Sequence, residues 1–568
     1  MNGAEDPVVR PWRRRLLAGM LALFAVGLVA RAAYLQVWQD EFLQRQGDAR
    51  YLRVVEIPAH RGMITDRHGE PLAISAPVDS VWANPSALRM SPEQRRALAR
   101  LLGISPSRLQ RRLESGGREF VWLRRHVSPQ VAEQVRALAI EGVDLRRESR
   151  RFYPAGEVTA QVVGLTDIDD RGQEGLELAY DERLRGVAGR KRVIKDRLGR
   201  VVRQVALLQA PRPGEELRLS LDRRIQYLAY RELKAAVRHH RAKGGALVVL
   251  DVNTGEVLAM VNQPSVNPND RRALRSDALR NRAVTDLFEP GSTVKPFVVA
   301  AALAGGDYTV DTPVDTSPGT LRVGRKTVHD VRDYGLIDVA RVIQKSSNVG
   351  IAKIALSLPR ERIWEVYNDV GFGLATESGF PGEPDGRLPF FSEWSPLTQA
   401  TLAFGYGLAV TPLQLAQAYA VLAADGVLRR PRFLHQAGPV EGRRVIDAAV
   451  AAQVRALLEQ VVSPEGTAVK AAVPAYRVAG KTGTVRKSMA GGYREDAYLA
   501  WFAGMAPASR PRLVAVVVID EPQGRYYGGQ VAAPVFSRVM AGALRLLDVP
   551  PDGLPGDRPV RLAGVEAP

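Results

Sequence analysis

The chain has 568 residues, 46% hydrophobic and 25% charged, with a formal net charge of +18. Its length exceeds one ordinary hydrophobic core, and its composition excludes both a disordered chain and a polytopic membrane protein. The absence of cysteine removes disulfides, thiolate catalysis and thiolate-held zinc together, and the Arg pairs (Arg95-Arg96, Arg111-Arg112, Arg124-Arg125, Arg146-Arg147) accompany no nucleic-acid module, so nucleic acid is not an expected partner.

Arg10, Arg13, Arg14 and Arg15 precede an apolar run from Leu16 to Val37 that carries one charge, Arg31. At ~1.5 Å per residue the run spans roughly 33 Å, enough for a hydrocarbon core. Arg31 lies near the far end, where a long side chain snorkels to the headgroups, and Trp38 suits the interface. Positive charge ahead of the span predicts a cytoplasmic N-terminus (1–15), an anchor (16–37) and export of the rest. Ala30-Arg31-Ala32 has the small-x-small form of a cleavage site, but Tyr34, Leu35 and Val37 extend the apolar stretch past it, which favours an uncleaved anchor.

Residues 38–210 mix strand-like runs (Arg53 to Ile57) with helical ones (Gln130 to Ala139), under dense Gly and Pro punctuation. No catalytic constellation appears there, and the seven histidines of the chain never take metal-ligand spacing. An exported spacer or docking domain is expected. Pro211-Arg212-Pro213-Gly214 reads as a linker to a second domain, 215–548. Asp222 to His239 has helical periodicity. Ala246 to Val252 and Glu256 to Val261 are apolar runs around a hairpin turn, Asn253-Thr254-Gly255. A second pair, Leu499 to Met505 and Leu513 to Ile519, flanks Ala506 to Pro511. Helical segments fill the space between the pairs. The layout predicts an α+β domain with one antiparallel sheet built from both ends and covered by helices. Pro550-Pro551-Asp552-Gly553 opens an expected flexible tail, 549–568.

Three strings in the second domain carry chemistry. Pro290-Gly291 precedes Ser292, and Thr293 to Leu303 is apolar with helical character, so Ser292 is placed at a helix N-terminus, where free N–H groups favour an oxyanion. Lys295 follows one turn along on the same face, and a neutral lysine is able to take the serine proton if burial or a nearby cation lowers its pKa. Pro296 falls in the first turn, where a missing N–H is tolerated. Ser346-Ser347-Asn348 supplies a relay hydroxyl, Ser346, and an amide, Asn348, for a substrate backbone. Ser265-Val266-Asn267 has the same spacing but lies in a Pro-rich loop ahead of the nucleophile and reads as turn chemistry. Lys481-Thr482-Gly483-Thr484 is no phosphate loop, because Ala475 stands where the first glycine is required. As a strand it puts Lys481 and Gly483 on one face and Thr482 and Thr484 on the other. Lys481 is expected to aim positive potential at Ser292 and a substrate carboxylate, and Gly483 to let a peptide approach closely. The N–H groups of Thr484 and Ser292 are expected to form an oxyanion hole.

This set, with Arg61-Gly62-Met63-Ile64-Thr65-Asp66-Arg67, Arg151-Phe152-Tyr153-Pro154-Ala155-Gly156-Glu157, Thr285 to Ser292, Phe404-Gly405-Tyr406-Gly407 and Thr411 to Ala416, resembles the class B penicillin-binding transpeptidases, division branch. The resemblance runs from the anchor to about residue 547; the stretch from about Glu365 to Ser392 is not matched. It implies an elongated mixed α/β pedestal domain of the dimerisation type, followed by a β-lactamase/transpeptidase-like domain. It further implies that Ser292, helped by Lys295, attacks the D-Ala-D-Ala carbonyl of a peptidoglycan stem peptide and passes the acyl group to a second stem peptide. Ser346 shuttles the leaving-group proton, Asn348 holds the donor amide, and Lys481, Thr482 and Thr484 grip the carboxylate. β-Lactam antibiotics would acylate Ser292. The implied setting is the bacterial inner membrane, with a glycan polymerase and other division proteins as partners, and no metal or organic cofactor is implied. Tyr406 either lines the cleft or packs structurally, and Asp286 and Glu289 are expected to stabilise loops. A membrane-anchored serine β-lactamase and a β-lactam-binding scaffold are the alternatives.

Overall fold

The computed structural model describes residues 11–39, 52–115, 119–195, 201–438, 440–489 and 492–554. The start of the expected cytoplasmic segment, 1–10, and most of the expected tail, 555–568, lie outside them. The N-terminal helix Pro11–Ala33 runs into a π-helical turn, Tyr34–Trp38. Within Pro11–Val37 an 18-residue window reaches a mean hydropathy of 2.1, and this is, among the described residues, the one helix long and apolar enough to cross a membrane.

The chain divides into two compact units that are not contiguous in sequence. The first comprises 1–59, 77–148 and 187–213. In it the strand Leu52–Ile57 pairs with Gly189–Lys195, which pairs with Val201–Gln209, all antiparallel. A second element pairs Asp79–Ala83 with Val121–Val127. Three helices, Pro92–Leu101, Pro106–Ser115 and Pro129–Ala137, enclose a small core of Val81, Leu98, Leu102, Leu109, Leu123 and Val135. Ser91 and Gln94 form a reciprocal capping box on the first of them, and Ser128 caps the last.

The second unit comprises 60–76, 149–186 and 214–568, so two segments expected in the N-terminal domain fold with the C-terminal one. A buried ion network ties these segments together. Glu177 is fully buried; its carboxylate accepts from Arg61 Nη2 (2.6 Å) and Arg151 Nε (2.6 Å), and Arg61 Nη1 donates to Asp181 Oδ1 (2.7 Å). Arg61 and Arg151 come from two of the strings that carry the resemblance, and burial of their charges is tolerated because each is paired. The expected linker is also pinned: Gly214 N donates to His60 O (2.9 Å) and Glu215 N to Arg183 O (2.9 Å).

The main sheet joins β1 (Gly244–Asp251), β2 (Val257–Gln263), β3 (Ala479–Met489), β4 (Gly492–Ala506) and β5 (Leu513–Asp520) in the order β2-β1-β5-β4-β3, antiparallel throughout. It is built from both ends of the domain, as the sequence predicts. The β1–β2 turn carries Gly255 at φ +72°, which glycine adopts without strain. The principal helices are α1 (Arg223–His239), α2 (Lys295–Ala304), α3 (Val339–Lys345), α4 (Asn348–Ser357), α5 (Pro412–Ala423), α6 (Ala448–Val462) and α7 (Ala533–Leu546). Both faces of the sheet are covered, and every residue of β1 and β2 is buried. On one face α1 and α7 pack, with Phe502 of β4 against Phe536 of α7 at 4.7 Å between rings. On the other lies α5, buried at every residue. Its start is set by Thr411, Pro412 and Gln414, a capping box with Pro at the first turn; a cap of this kind is worth about 1 kcal/mol.

The expected tail is held at its beginning. Asp552 accepts from Arg477 N (2.7 Å) and from Ser509 N and Oγ (3.0 and 2.7 Å), and Gly553 N donates to Ala475 O (3.0 Å).

Candidate active site

Gly291–Val294 forms a 3₁₀ turn that leads into α2, so Ser292 stands at a helix start, half-buried, while Lys295 is wholly buried at the first position of α2. The turn is clamped from three sides. Tyr419 of α5 donates through its OH to Thr293 O (2.7 Å), and its ring meets Phe297 at 5.7 Å. Gly291 N donates to Gly405 O (3.2 Å). The edge strand β3 presses against the turn: a Cβ on Gly291 would lie 2.3 Å from Val485 Cγ2 and 4.0 Å from Thr484 N.

Gly405, in the Phe-Gly-Tyr-Gly string, has φ +84°, and a Cβ there would meet Gly291 O at 2.2 Å and Gly291 N at 2.5 Å. The string therefore supports the serine from beneath. If Ser292 is acylated as the resemblance implies, Gly405→Ala should slow that step by roughly tenfold or more, because a shift near 1 Å in a reacting group costs up to ~100-fold. Rates with a fluorescent penicillin check this; an unchanged rate would mean that the turn yields without consequence.

The second motif joins α3 to α4. Ser346 ends α3 in the left-handed region (φ 59°, ψ 39°), uncommon for a residue with a Cβ and often found at functional sites. Ser347 caps α4, its Oγ accepting from Gly350 N (2.8 Å). Lys295 Nζ donates to Ser346 O (2.6 Å), Ser346 Oγ (3.2 Å) and Asn348 Oδ1 (2.8 Å). Among the described residues it makes no hydrogen bond to Ser292, the partner expected from the spacing of three. From the third motif, Lys481 Nζ donates to Ser346 Oγ at 2.8 Å. One hydroxyl thus joins two ammonium groups that lie far apart in sequence.

Burial pushes Lys295 well below the ordinary lysine value, and the neighbouring charge of Lys481 lowers it further, against a smaller opposite effect from Asp330. Burial alone lowers Lys481 to about 7. A neutral Lys295 has two N–H donors and one lone pair. The two shorter bonds, to Ser346 O and Asn348 Oδ1, use the donors and leave the lone pair for a hydroxyl proton.

The remaining predicted residues fall as follows. Asn348 Nδ2 donates to His329 O (3.1 Å), so each end of its amide has one protein partner and keeps one free valence for a substrate. Thr482 Oγ1 lies 2.9 Å from Thr467 Oγ1, and Thr484 Oγ1 accepts from Gly528 N (3.0 Å). Gly483 differs from expectation. A Cβ there would meet Pro290 O (2.9 Å) and Thr293 Cγ2 (3.0 Å), so the close approach it permits is by the nucleophile turn itself. Tyr406 packs on Tyr493 (5.2 Å) and accepts from Arg486 N (3.3 Å). Glu289 Oε1 accepts from Gly407 N (2.8 Å) and Tyr493 OH (3.0 Å), and Asp286 pairs with Arg280 (2.5 Å). In Ser265-Val266-Asn267, Asn267 Oδ1 accepts from Asn269 N (3.0 Å), a turn as expected. Asp330, Tyr419 and Gly405 were not among the predicted site residues: only the tertiary fold brings them to the motifs.

A serine at a helix start beside a depressed lysine, facing the edge of an antiparallel sheet, is the apparatus of serine acyl transfer. Residues 245–541 match the family model of the penicillin-binding protein transpeptidase domain, and 56–219 that of the penicillin-binding protein dimerisation domain. The chain is 43% identical over 550 residues to the peptidoglycan D,D-transpeptidase FtsI of Escherichia coli K12, covering 96% of this chain and 93% of the relative. It is 42% identical over 569 residues to the probable peptidoglycan D,D-transpeptidase PenA of Neisseria meningitidis, covering 99% and 97%. Among solved structures, the transpeptidase domain of Burkholderia pseudomallei penicillin-binding protein 3 shares 45% identity with a TM-score of 0.55, covering 59% of this chain and 98% of that one. Penicillin-binding protein 3 of Mycobacterium tuberculosis, complexed with aztreonam, shares 29% with a TM-score of 0.68, covering 88% and 98%. The chain belongs to the penicillin-binding protein transpeptidase family, in its class B form with a dimerisation domain ahead of the transpeptidase domain. It is a membrane-anchored enzyme of the serine acyltransferase type.

Proposed function

We propose that this protein cross-links peptidoglycan stem peptides of the septal wall, as a D,D-transpeptidase whose Ser292 is also the target of β-lactams. The observation that carries this reading is the approach of Lys295 Nζ and Lys481 Nζ to one hydroxyl, Ser346 Oγ, at 3.2 and 2.8 Å. Lys295, neutral by burial, takes the Ser292 proton as Oγ bonds to the penultimate D-Ala carbonyl carbon. The oxyanion settles between the N–H groups of Ser292 and Thr484. Ser346 passes a proton from the lysine pair to the leaving nitrogen, the C–N bond breaks, and D-Ala departs. An acceptor amine then attacks the ester, returns its proton along the same path and frees Ser292. Asn348 aligns the donor backbone. Lys481, Thr482 and Thr484 draw the terminal carboxylate, whose charge favours the ammonium form of Lys481. Gly483 keeps β3 close to the nucleophile turn.

The apolar N-terminal helix spans the inner membrane with the arginine-rich end in the cytoplasm. The division assignment rests on the quoted strings of the division branch, and it places a glycan polymerase and other division proteins among the partners. Intact-mass analysis with penicillin tests the reading. Wild type should gain one penicillin mass that persists for hours, and Ser292→Ala none. Rapid loss of the adduct would indicate a β-lactamase instead, and an adduct on Ser292→Ala would remove Ser292 as the acylated group.

A further inference from the structure

Asp330 follows the strand Lys326–His329, sixteen residues ahead of Ser346, and belongs to none of the three motifs. Its carboxylate gathers the start of α4. Oδ2 accepts from Ser347 Oγ (2.5 Å), and Oδ1 accepts from the backbone N–H groups of Asn348 and Val349, the latter at 3.1 Å. The preceding residue contributes His329 O to Asn348 Nδ2 (3.1 Å). An anion at a helix N-terminus satisfies orphan N–H groups and complements the helix dipole. This anion has a second setting as well, since the cleft that its α4 bonds shape contains two wholly buried lysines, and of these Lys295 has its ammonium form favoured by the Asp330 charge.

We infer that Asp330 is a positioning residue of the acyl-transfer site: it holds the Ser346–Asn348 turn against Lys295 and supplies the negative charge that balances the lysine pair. The inference rests on the reading of Ser292, Lys295 and Lys481 given above. Without the three bonds to Asp330, the left-handed Ser346 and the Asn348 amide lose their common brace, and Lys295 loses the alignment of its two shortest hydrogen bonds. The charged groups that act on Lys295 are Lys481 from β3, which disfavours its ammonium form, and Asp330, which favours it; Ser292, Ser346 and Asn348 are neutral. On its own loop Asp330 also acts on Tyr334, beside Arg332.

The test measures acylation of the full-length, detergent-solubilised protein by a fluorescent penicillin from pH 5 to 9. Asp330→Asn keeps the shape and removes the charge. Its plateau rate should fall about tenfold or more, and the acid limb of the profile should move to lower pH, because Lys295 loses its proton more readily without the anion. Asp330→Glu keeps the charge and displaces it by a methylene: the plateau should fall while the limb stays in place. An unmoved limb in Asp330→Asn reduces Asp330 to a helix cap and overturns the inference. A wild-type plateau in Asp330→Glu also overturns it, and that arm decides if the Asn variant does not fold. Penicillin labelling of Ser292→Ala, run alongside, separates this failure from failure of the functional reading, since only the latter predicts an adduct there.

Discussion

Replacing Lys295 by methionine should slow acylation of Ser292 by penicillin by about 10³-fold, within the 10²–10⁴ range a positioned general base contributes. Methionine has nearly the length of lysine and is at home in a dry cavity, so packing against the second motif is largely kept. What disappears is the lone pair able to accept the serine proton, together with the donors to Ser346 O and Asn348 Oδ1. Stopped-flow acylation checks this, and a rate within tenfold of wild type would mean that another group serves as base. Stability should move the other way. The folded pKa of Lys295 lies below its unfolded value, so the unfolded chain holds more protons between the two values, and folding stability rises with pH across that window. The charge penalty is full at acid pH and vanishes above the ordinary lysine range. Lys295→Met should therefore raise the unfolding midpoint most at low pH, a gain that thermal melts at pH 5 and 10 will display.

Glu177→Ala should destabilise the second unit by about 3–5 kcal/mol, the usual cost of removing one partner from a buried ion pair. Two guanidinium groups, Arg61 and Arg151, would be left buried without their shared carboxylate, and Arg61 would keep one ion pair, to Asp181, beside its bonds to the backbone carbonyls of Asp170 and Glu177. Urea unfolding of the purified protein reads this loss directly. Glu177 touches none of the three motifs, so variant molecules that remain folded should acylate at the wild-type rate. A loss below ~1 kcal/mol would mean that water reaches and solvates the arginines.

Much of this site was legible from residues alone, because its chemistry is carried by short strings whose spacing is a property of helices and strands. Ser292 at a helix start, the hairpin turn at Asn253-Thr254-Gly255 and the strands at both ends of the domain all follow from local pattern. The partners of those strings were not legible. Spacing suggested that Lys295 faces Ser292, yet its hydrogen bonds go to Ser346 and Asn348, which only the packing of α2 beside α4 brings near. Gly405 belongs to a string quoted only for its resemblance; that it supports Gly291 depends on a contact between segments more than a hundred residues apart. Gly483 was assigned to substrate because a strand glycine signals close approach, but periodicity does not say which chain approaches. The assignment of 60–76 and 149–186 to the second unit has the same origin. Glu177 draws Arg61 and Arg151 to itself, and nothing in either arginine string announces that glutamate as its partner.

A sheet whose outer strands come from opposite ends of one domain also sets a timetable for biosynthesis. Lys481 is made about 190 residues after Ser292, some tens of seconds at ~5–20 residues per second. Until β3 to β5 emerge, β1 lacks its neighbour β5, and the serine has neither its second lysine nor the strand edge beside it. A nascent chain is thus chemically silent toward penicillin, and the protein becomes vulnerable to the drug only when its last strands have been translated and docked.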